Sequence, residues 1–347
     1  MASSVQRARR TVLVLHIDDP EKPLPPFIQH DIDILRTEYQ VEVLSVYRYR
    51  HDLLRLFLDI TSWRALLKAD ALFVWFNFST SVVAVAALLG KPVVVVAGGA
   101  DVVWVSDIGY GIDPARRRAF WLRRMAYRLT RKVLLFSESS RRDYLKIFGV
   151  DPLKSETCYL GVDSHAFTPR GAKRPHVFTV SYVSENSLRR KGVYSLIDTA
   201  RLTPDIQYRI AGVVVDAGAV RRLRASASPN VEFLGELTRE QLLAEYRSAK
   251  VYAQLSYHEG FGMALAEAMA CECVPVVTDR GSLPELVGST GFYVPVGDAG
   301  ASASAIREAL ADDGSRGVSA RERIVQCFPL EARKEGVLRA LEEVLGV

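Results

Sequence analysis

The chain has 347 residues, of which 49% are hydrophobic and 24% are charged. This composition supplies enough apolar material for two cores and excludes an intrinsically disordered chain. The four cysteines show no CxxC pairs, so a zinc ribbon is excluded and reduced thiols in an intracellular protein are expected. The net charge is +5, and all of the excess lies in residues 1–165, with 23 Lys and Arg against 18 Asp and Glu. An anionic surface or substrate is therefore expected to dock on the first half.

Two segments raise the question of targeting or membrane insertion. Residues 1–10 are basic but contain no apolar core typical of a signal peptide. The apolar stretch Val82–Val96 is interrupted by Gly90-Lys91-Pro92, which leaves runs well short of the ~20 residues that a spanning helix needs. We expect a cytoplasmic protein without a spanning segment.

Short Val/Ile/Leu runs alternate with helical patterns along the whole chain. Strands are predicted in the first half at 11–17, 41–46, 71–76, 92–97 and 132–137. In the second half they are predicted at 177–183, 207–213, 231–234, 251–255 and 274–278. This alternation indicates α/β architecture, in which parallel sheets carry helices on both faces.

The polar, Gly- and Pro-containing stretch 161–175 has no periodicity and predicts a linker between two domains. The expected division is a Rossmann-like domain at 1–165, a second at 166–328, and a terminal helix at 329–347 that crosses back to the first domain. Doubly wound domains bind ligands at the carboxyl ends of their strands. Neither a GxGxxG fingerprint nor a Gly-x4-Gly-Lys phosphate loop is present, so a dinucleotide site is not indicated.

An Asp-x-Asp pattern at Asp31 and Asp33 is typical of some metal sites. It lies in a helical pattern, where residues two apart do not face each other, so we expect no metal there.

Residues 116–132 hold eight basic side chains and no acidic one. At helical spacing Leu122, Met125, Ala126 and Leu129 form one apolar stripe, which is predicted to pack on the sheet. Most arginines then lie on the opposite face, together with Phe120, Trp121 and Tyr127. Two interpretations remain open: a face that docks on an anionic membrane, or a solvated helix whose aromatic rings fold against neighbours. No nucleic-acid recognition motif accompanies the charge.

A basic loop, Arg-Arg-Lys-Gly at residues 189–192, follows the predicted strand 177–183 and precedes a helix that begins near Val193. A cation about 4 Å from a diphosphate contributes roughly 4 kcal/mol at an effective dielectric constant near 20. The loop is therefore either a phosphate-binding element or an ordinary solvated turn.

The most informative segment is residues 256–285. A strand ends in Glu259, a turn with Gly260 and Gly262 follows, and the next helix is apolar except for Glu267. A lone carboxylate in such a helix either accepts hydrogen bonds from ligand hydroxyls or sits at a solvent-facing edge. The turn opens the helix, so its backbone N–H groups are free for phosphate or sugar oxygens.

Glu259 and Glu267, with seven residues between them, resemble the paired glutamates of retaining glycosyltransferases of the GT-B fold, specifically glycosyltransferase family 4. The segment Leu160–Asp163 with Phe167–Pro169 resembles the linker of that fold, and Lys191-Gly192 resembles its Lys-Gly pair. The resemblance implies two Rossmann-like domains facing across a cleft. It also implies transfer of a hexose-type sugar from a nucleotide-diphosphate sugar to a hydroxyl of a lipid or glycan, with retained configuration. No metal or other cofactor is implied.

The same resemblance assigns roles to residues. Lys191 would contact the donor diphosphate, and Arg190 or Arg189 would replace an arginine that the family carries upstream. Glu267 would bind the ribose hydroxyls and Glu259 would lie against the donor sugar. The residues framing that sugar would be Gly260, Phe261, Gly262, Met263 and Ala264. In the first domain, Gly98-Gly99-Ala100-Asp101 resembles a His-Gly-x-Asp segment in which Gly98 replaces the histidine, which leaves Asp101 as the candidate sugar contact.

Three family features are missing: the upstream arginine, the histidine and a Gly-Gly loop after the first strand. They keep two alternatives open, namely a degenerate nucleotide-sugar-binding or scaffold protein and a sugar-nucleotide 2-epimerase on the same fold. The expected location is the cytoplasm, with the protein either free or peripheral on the inner face of the membrane.

Overall fold

The computed structural model describes residues 9–17, 21, 23–46, 60–76 and 80–347. They form two compact units. Unit 1 comprises the described residues up to Trp104, together with Gly111–Tyr159 and Glu331–Val347. Unit 2 comprises Val105–Tyr110 and Leu160–Leu330. The chain thus enters unit 2 at Leu160 rather than after residue 165, and the short segment Val105–Tyr110 also belongs to unit 2.

The elements up to the domain boundary alternate between strand and helix. They are β1 Thr11–His16, α1 Pro26–Glu38, β2 Gln40–Ser45, α2 Ile60–Lys68, β3 Ala71–Trp75, α3 Thr80–Leu88, β4 Val93–Ala97, β5 Trp104–Val105, β6 Tyr110–Gly111, α4 Arg117–Leu129, β7 Lys132–Leu135, α5 Glu138–Phe148 and β8 Ser155–Thr157. Six of these strands form a parallel sheet in the order β2-β1-β3-β4-β7-β8. Strands β1, β3 and β4 are buried at every position, as expected for a sheet covered on both faces.

The second unit repeats the plan. Its elements are β9 Arg174–Val180, α6 Glu185–Arg190, α7 Val193–Leu202, β10 Gln207–Ala211, α8 Ala217–Ser226, β11 Val231–Gly235, α9 Arg239–Ser248, β12 Ala249–Gln254, α10 Met263–Ala270, β13 Val274–Thr278, α11 Leu283–Val287, β14 Phe292–Val294, α12 Ala299–Ala311 and α13 Ser315–Cys327. The sheet is parallel in the order β11-β10-β9-β12-β13-β14. All ten predicted strands are present; β8 and β14, each of three residues, were too short to show a pattern.

The last helix, α14 Leu330–Leu345, is anchored in unit 1 by a buried ion pair. Arg333 and Asp31 are each 1% exposed and bind in a two-bond arrangement, with Nε 2.9 Å from Oδ1 and Nη2 2.6 Å from Oδ2. Arg333 Nη1 also donates to the carbonyl of Cys158 at 2.8 Å. The carboxylate of Asp31 therefore holds helix α14 in place through Arg333. Over the described residues there is no group of three His, Cys, Asp or Glu side chains suited to a metal.

Helix α4 turns a different face inward than its apolar stripe predicts. Leu122 and Met125 are 62% and 42% exposed, whereas Tyr127 is completely buried. The Tyr127 ring packs against Tyr144 at 4.9 Å and Phe148 at 4.8 Å, and Phe120 stacks on Phe148 at 5.7 Å. Of the stripe, Ala126 is buried, and the predicted packing is wrong for Leu122, Met125 and Leu129. The reason is that two large rings, seven residues apart, bury more surface than the stripe would.

None of the helices in the described part of the chain combines the length and the hydrophobicity required to cross a bilayer.

Replacing Arg333 by Leu should lower the free energy of unfolding by about 3–5 kcal/mol, because Asp31 is left buried without its partner. The double variant Arg333→Leu/Asp31→Leu should recover much of that loss, since no unpaired charge remains. Urea unfolding followed by tryptophan fluorescence measures both. Arg339→Leu, on the exposed side of the same helix, is the matched control and should cost no more than about 1 kcal/mol. Equal losses for Arg333→Leu and Arg339→Leu would contradict this assignment.

Candidate active site

The segments that follow the neighbouring strands β9 and β12 meet at the ends of these strands. Arg189 and Arg190, predicted to lie in a loop, are the last two residues of helix α6. Both strands are parallel, so the segments that follow them emerge at the same edge of the sheet. The amide of Tyr257 donates to the carbonyl of Arg190 at 2.8 Å, and this bond joins the two segments. Gly192 has a φ of +66°, and a Cβ there would lie 1.9 Å from the carbonyl oxygen of Leu255. Glycine after Lys191 is thus required by the close approach of the two backbones.

The side chain of Glu259 lies at the centre of this junction and is 8% exposed. Its Oε1 atom is the common acceptor for four groups. The charged ones are Arg190 Nη1 and Lys191 Nζ, each 3.2 Å away. The neutral ones are Gln254 Nε2 at 2.8 Å and Ser256 Oγ at 3.0 Å. Within the described residues every hydrogen bond to this carboxylate ends on Oε1.

Two of these donors were not predicted. Gln254 and Ser256 are almost completely buried, at 1% and 0% exposure. They stand two residues apart at the end of β12, and Gln254 Nε2 also donates to Ser256 Oγ at 3.0 Å. Alternate residues of an extended segment point to one side. Two polar residues at this spacing, after the apolar run Val251–Ala253 and just before Glu259, were the available sequence signal.

The two cations determine the charge state of Glu259. Burial, the largest single influence, raises the pKa of this carboxyl, but Lys191 and Arg190 and the hydrogen bonds from Lys191 and Ser256 outweigh it and lower the pKa to about 2. The pKa of Lys191 is lowered, because burial outweighs the opposing attraction of Glu259. Glu259 is consequently a carboxylate at any physiological pH and cannot act there as a proton donor.

The structure decides between the two neighbouring arginines. Arg189 is 65% exposed and its Nε pairs with Glu185 at 3.0 Å. Arg190 is 17% exposed and its Nη1 donates both to Glu259 and, at 3.2 Å, to the carbonyl of His258. Of the two, Arg190 is the arginine of this cluster.

The backbone of Glu259 is held from a third side by the loop after β13. Ser282 donates to the carbonyl of Glu259 through its amide at 3.0 Å and its hydroxyl at 3.1 Å. A Cβ at Gly281 would lie 2.4 Å from the same carbonyl oxygen. The position of Glu259 therefore depends on close contacts that a side chain at residue 281 would break.

Glu267 occupies helix α10, where it is half-buried and accepts a hydrogen bond from the hydroxyl of Tyr246 at 3.0 Å. Burial raises its pKa to about 7, and Tyr246, Arg239 and Lys191 partly offset that rise. The charge of Lys191 thus acts on both glutamates. Tyr246, which is completely buried, was not identified in the sequence.

Residues 260–264 form the turn that opens α10. Gly262 adopts a φ of +97° immediately before the helix, a conformation that favours glycine. The amides of Met263 and Ala264 fall in the first helical turn, where no intrahelical acceptor exists. The ring of Phe261 is buried against Phe328 at 5.7 Å, so this residue offers only its backbone to a ligand.

Asp101, predicted to contact the donor sugar, is fully buried in unit 1. Its Oδ1 accepts from the amides of Gly98 and Gly99 at 3.3 and 3.0 Å, and its Oδ2 from the hydroxyl of Tyr127 at 3.3 Å. These bonds hold the loop 98–101 together, and the contact of Asp101 with the donor sugar stays a prediction. A side chain on Gly98 would collide with the ring of Phe136, since a Cβ would lie 2.5 Å from it. The ring therefore occupies the place that a histidine would need.

Comparisons with known proteins identify the family of the chain. Residues 6–166 match the family model Glycosyltransferase Family 4, and residues 172–326 match the model Glycosyl transferases group 1. The chain is 30% identical over 209 residues to a D-inositol 3-phosphate glycosyltransferase of Mycolicibacterium vanbaalenii, a match that covers 52% of this chain and 46% of that protein. It is also 30% identical over 187 residues to an MMP alpha-(1->4)-mannosyltransferase of Mycolicibacterium hassiacum, covering 51% and 45%. The matched part thus spans less than half the length of these relatives.

Solved structures show the same fold at low sequence identity. Sucrose-phosphate synthase from Thermosynechococcus elongatus matches with a TM-score of 0.80 and 18% sequence identity. The match covers 97% of this chain and 100% of that chain. Anabaena HepE in complex with UDP and glucose has a TM-score of 0.77 and 18% identity, covering 96% and 99%. The expected architecture of two Rossmann-like domains is confirmed. With both halves matched by family models and the fold shared, the chain belongs to family 4 of the GT-B glycosyltransferases.

Proposed function

We propose that the protein transfers a hexose-type sugar from a nucleotide-diphosphate sugar to a hydroxyl group of a lipid or glycan, with retention of the anomeric configuration. The observation that carries the proposal is the convergence of Lys191 and Arg190 on one oxygen of Glu259. Two partly buried cations held side by side suit the two negative charges of a departing diphosphate.

Lys191 and Arg190 are the groups that stabilise the leaving diphosphate. A cation about 4 Å from a phosphate contributes roughly 4 kcal/mol at an effective dielectric constant near 20, and these two are already desolvated and in place. This charge compensation requires no metal. Glu259 holds both cations through Oε1 and, in the proposal, presents Oε2 to hydroxyls of the donor sugar.

Glu267 is assigned to the hydroxyls of the nucleoside. Its Oε2 is held by Tyr246, so the carboxylate is oriented before a ligand arrives. Each hydrogen bond from a ligand hydroxyl to an ionised carboxylate contributes about 1.5–3 kcal/mol. The backbone amides of Met263 and Ala264 complete the polar frame around the donor.

Binding of nucleotide sugars separates this proposal from its rivals. HepE, a structural neighbour, was solved with UDP-glucose, so UDP-glucose and GDP-mannose are suitable first probes in a calorimetric titration. Binding with turnover only when a lipid or glycan acceptor is added supports a transferase. Turnover of the donor to a different sugar nucleotide without acceptor would indicate an epimerase, and no binding at millimolar concentration would indicate a degenerate scaffold.

Lys191→Ala should lower the turnover rate by about 10²–10³-fold, because one stabilising contact to the leaving group is lost. Arg190→Gln should have an effect of similar size. Arg189→Ala is the matched control: this neighbouring arginine is exposed and pairs with Glu185, so its removal should leave turnover unchanged. If Arg189→Ala lowered turnover as much as Lys191→Ala, the positive charge of residues 189–191 would matter and the position of each side chain would not.

Affinity for the nucleotide sugar should rise with pH. Free Glu267 has a pKa of about 7, and the ligand hydroxyls favour its ionised form, so binding releases a proton below that pKa. Affinity at about pH 8 should therefore exceed that at about pH 6 by roughly tenfold. The diphosphate of a nucleotide sugar has no group that titrates in this interval. Glu267→Gln should bind more weakly at the higher pH and lose the pH dependence; a dependence that persists in this variant would contradict the assignment.

We further propose that the exposed face of α4 docks on an anionic membrane. Apolar side chains on this face reach solvent, with Trp121 54%, Leu122 62%, Met125 42% and Leu129 37% exposed. Leu88, at the end of the adjoining helix α3, is 78% exposed and belongs to the same side of unit 1. Exposed arginines on and beside α4 surround these residues: Arg117, Arg118, Arg128 and Arg131. An apolar surface bordered by cations matches the interface of an anionic bilayer, at about 1 kcal/mol per cation.

Sedimentation with vesicles tests the membrane proposal. The protein should bind vesicles that contain phosphatidylglycerol and not vesicles of phosphatidylcholine alone. The variant Leu122→Ser/Met125→Ser/Arg118→Glu/Arg128→Glu should lose this binding. Its control, Arg170→Glu/Arg221→Glu, makes the same change in net charge at exposed positions of unit 2 and should keep it. Retained binding in the α4 variant, or equal loss in both, would refute a docking face on α4.

A further inference from the structure

A tyrosine from the first half of the sequence is built into the cation cluster of unit 2. Tyr110 lies in the segment Val105–Tyr110, which belongs to unit 2. The guanidinium carbon of Arg190 lies 5.2 Å from the centre of the Tyr110 ring. The ring also contacts that of His258, with centroids 6.0 Å apart and an interplanar angle of 40°. No sequence pattern singled out this residue.

The backbone around Tyr110 determines where its ring points. Strands β5 and β6 pair across the 3-10 turn Ser106–Ile108, which ends at Gly109 with a φ of +60°. Gly111 has a φ of +102°, and a Cβ there would lie 1.9 Å from the carbonyl oxygen of Val103. The residue that follows Tyr110 must therefore be glycine. A tight hairpin of this kind presents its aromatic side chain with little freedom.

Arg190 is held both by hydrogen bonds and by its contact with the Tyr110 ring. Arg190 Nη1 lies 3.2 Å from both the carbonyl of His258 and Oε1 of Glu259. Those bonds both use Nη1, and the guanidinium carbon lies over the Tyr110 ring. His258 is 4% exposed, and its Nε2 has no hydrogen-bond partner among the described residues, so the imidazole serves here as a flat packing surface. Burial lowers the pKa of His258 to about 4, which keeps the ring neutral beside the arginine.

We propose that Tyr110 is a positioning residue for sugar transfer: its ring holds the Arg190 guanidinium against Glu259, in the orientation that meets the donor diphosphate. The inference rests on the proposed function, because it assigns Arg190 to the diphosphate. The phenol hydroxyl is not required for this role, since the interaction is between the cation and the face of the ring.

A double-mutant cycle on nucleotide-sugar affinity tests the proposal. The variants are Tyr110→Ala, Arg190→Gln and the two combined, titrated calorimetrically with whichever of UDP-glucose and GDP-mannose the unmodified protein binds. Tyr110→Ala alone should weaken binding by about 3- to 30-fold, the range expected for a cation–π contact of this type. In the Arg190→Gln background the same change should have no further effect, because Tyr110 acts through Arg190. Additive losses would overturn the proposal.

Two further variants distinguish positioning from general stability. Tyr110→Phe keeps the ring and should bind like the unmodified protein, whereas loss of binding in this variant would assign the role to the hydroxyl and overturn the inference. Tyr293→Ala removes a tyrosine of unit 2 that is 41% exposed and remote from these groups in the sheet, and it should leave affinity unchanged. Melting temperatures of Tyr110→Ala and Tyr293→Ala should be similar.

A measurement without ligand separates failure of this inference from failure of the proposed function. In a spectrum of arginine Nε–Hε groups, the signal of Arg190 is identified by its disappearance in Arg190→Gln. The ring current of Tyr110 should shift that signal, so Tyr110→Ala should move it and Tyr110→Phe should not. If no nucleotide sugar binds but the signal moves, the function proposed here is wrong and the contact is real. If the signal of Arg190 is unaffected in Tyr110→Ala, the positioning role is excluded whatever binds.

Discussion

The charged cluster of unit 2 is built around one oxygen atom, Oε1 of Glu259, that is shared by two cations and two neutral donors. A buried carboxylate without partners costs several kcal/mol, and so does a buried lysine. Here the ion pair between Glu259 and Lys191 offsets the cost of burying both groups, and Arg190 contributes a second positive charge. The result is a group of charges that are desolvated, ordered and close together, which is the arrangement that stabilises a charged leaving group without reorganisation when the reaction occurs.

The two glutamates of the site have opposite electrostatic environments. Glu259 faces two cations and stays ionised with a pKa of about 2, whereas Glu267 has burial and a tyrosine hydroxyl as its main influences and a pKa of about 7. A carboxylate that is always charged suits a permanent anchor for cations. A carboxyl that ionises near neutral pH suits a group whose ionised form is stabilised by hydrogen bonds from the ligand. The difference between the two pKa values follows from environment, since the side chains are identical.

Glycines set the distances within this cluster as much as the charged residues do. Gly192 and Gly281 each lie where a Cβ would collide with a backbone carbonyl of the segment that carries Glu259. They allow three segments to approach one another at the edge of the sheet. In unit 1 the Phe136 ring fills the space beside Gly98, so the histidine that the family carries at this position would collide with it.

Much of the molecule follows from the sequence alone. Buried parallel strands show as apolar runs, so all ten predicted strands and the two-domain α/β fold are found. Resemblance to family motifs singled out Glu259, Lys191 and Arg190, which the structure brings together. Patterns along the chain cannot report which buried side chains meet across elements. The choice of Arg190 over Arg189, the donors Gln254 and Ser256, and the contact of Tyr110 with Arg190 were therefore decided only by the tertiary structure. The same is true of α4, whose large rings bury more area than its apolar stripe, and of Asp31, which a residue some 300 positions away neutralises. Local periodicity determines elements, whereas the partners of buried charges and rings are determined by packing between segments distant in sequence.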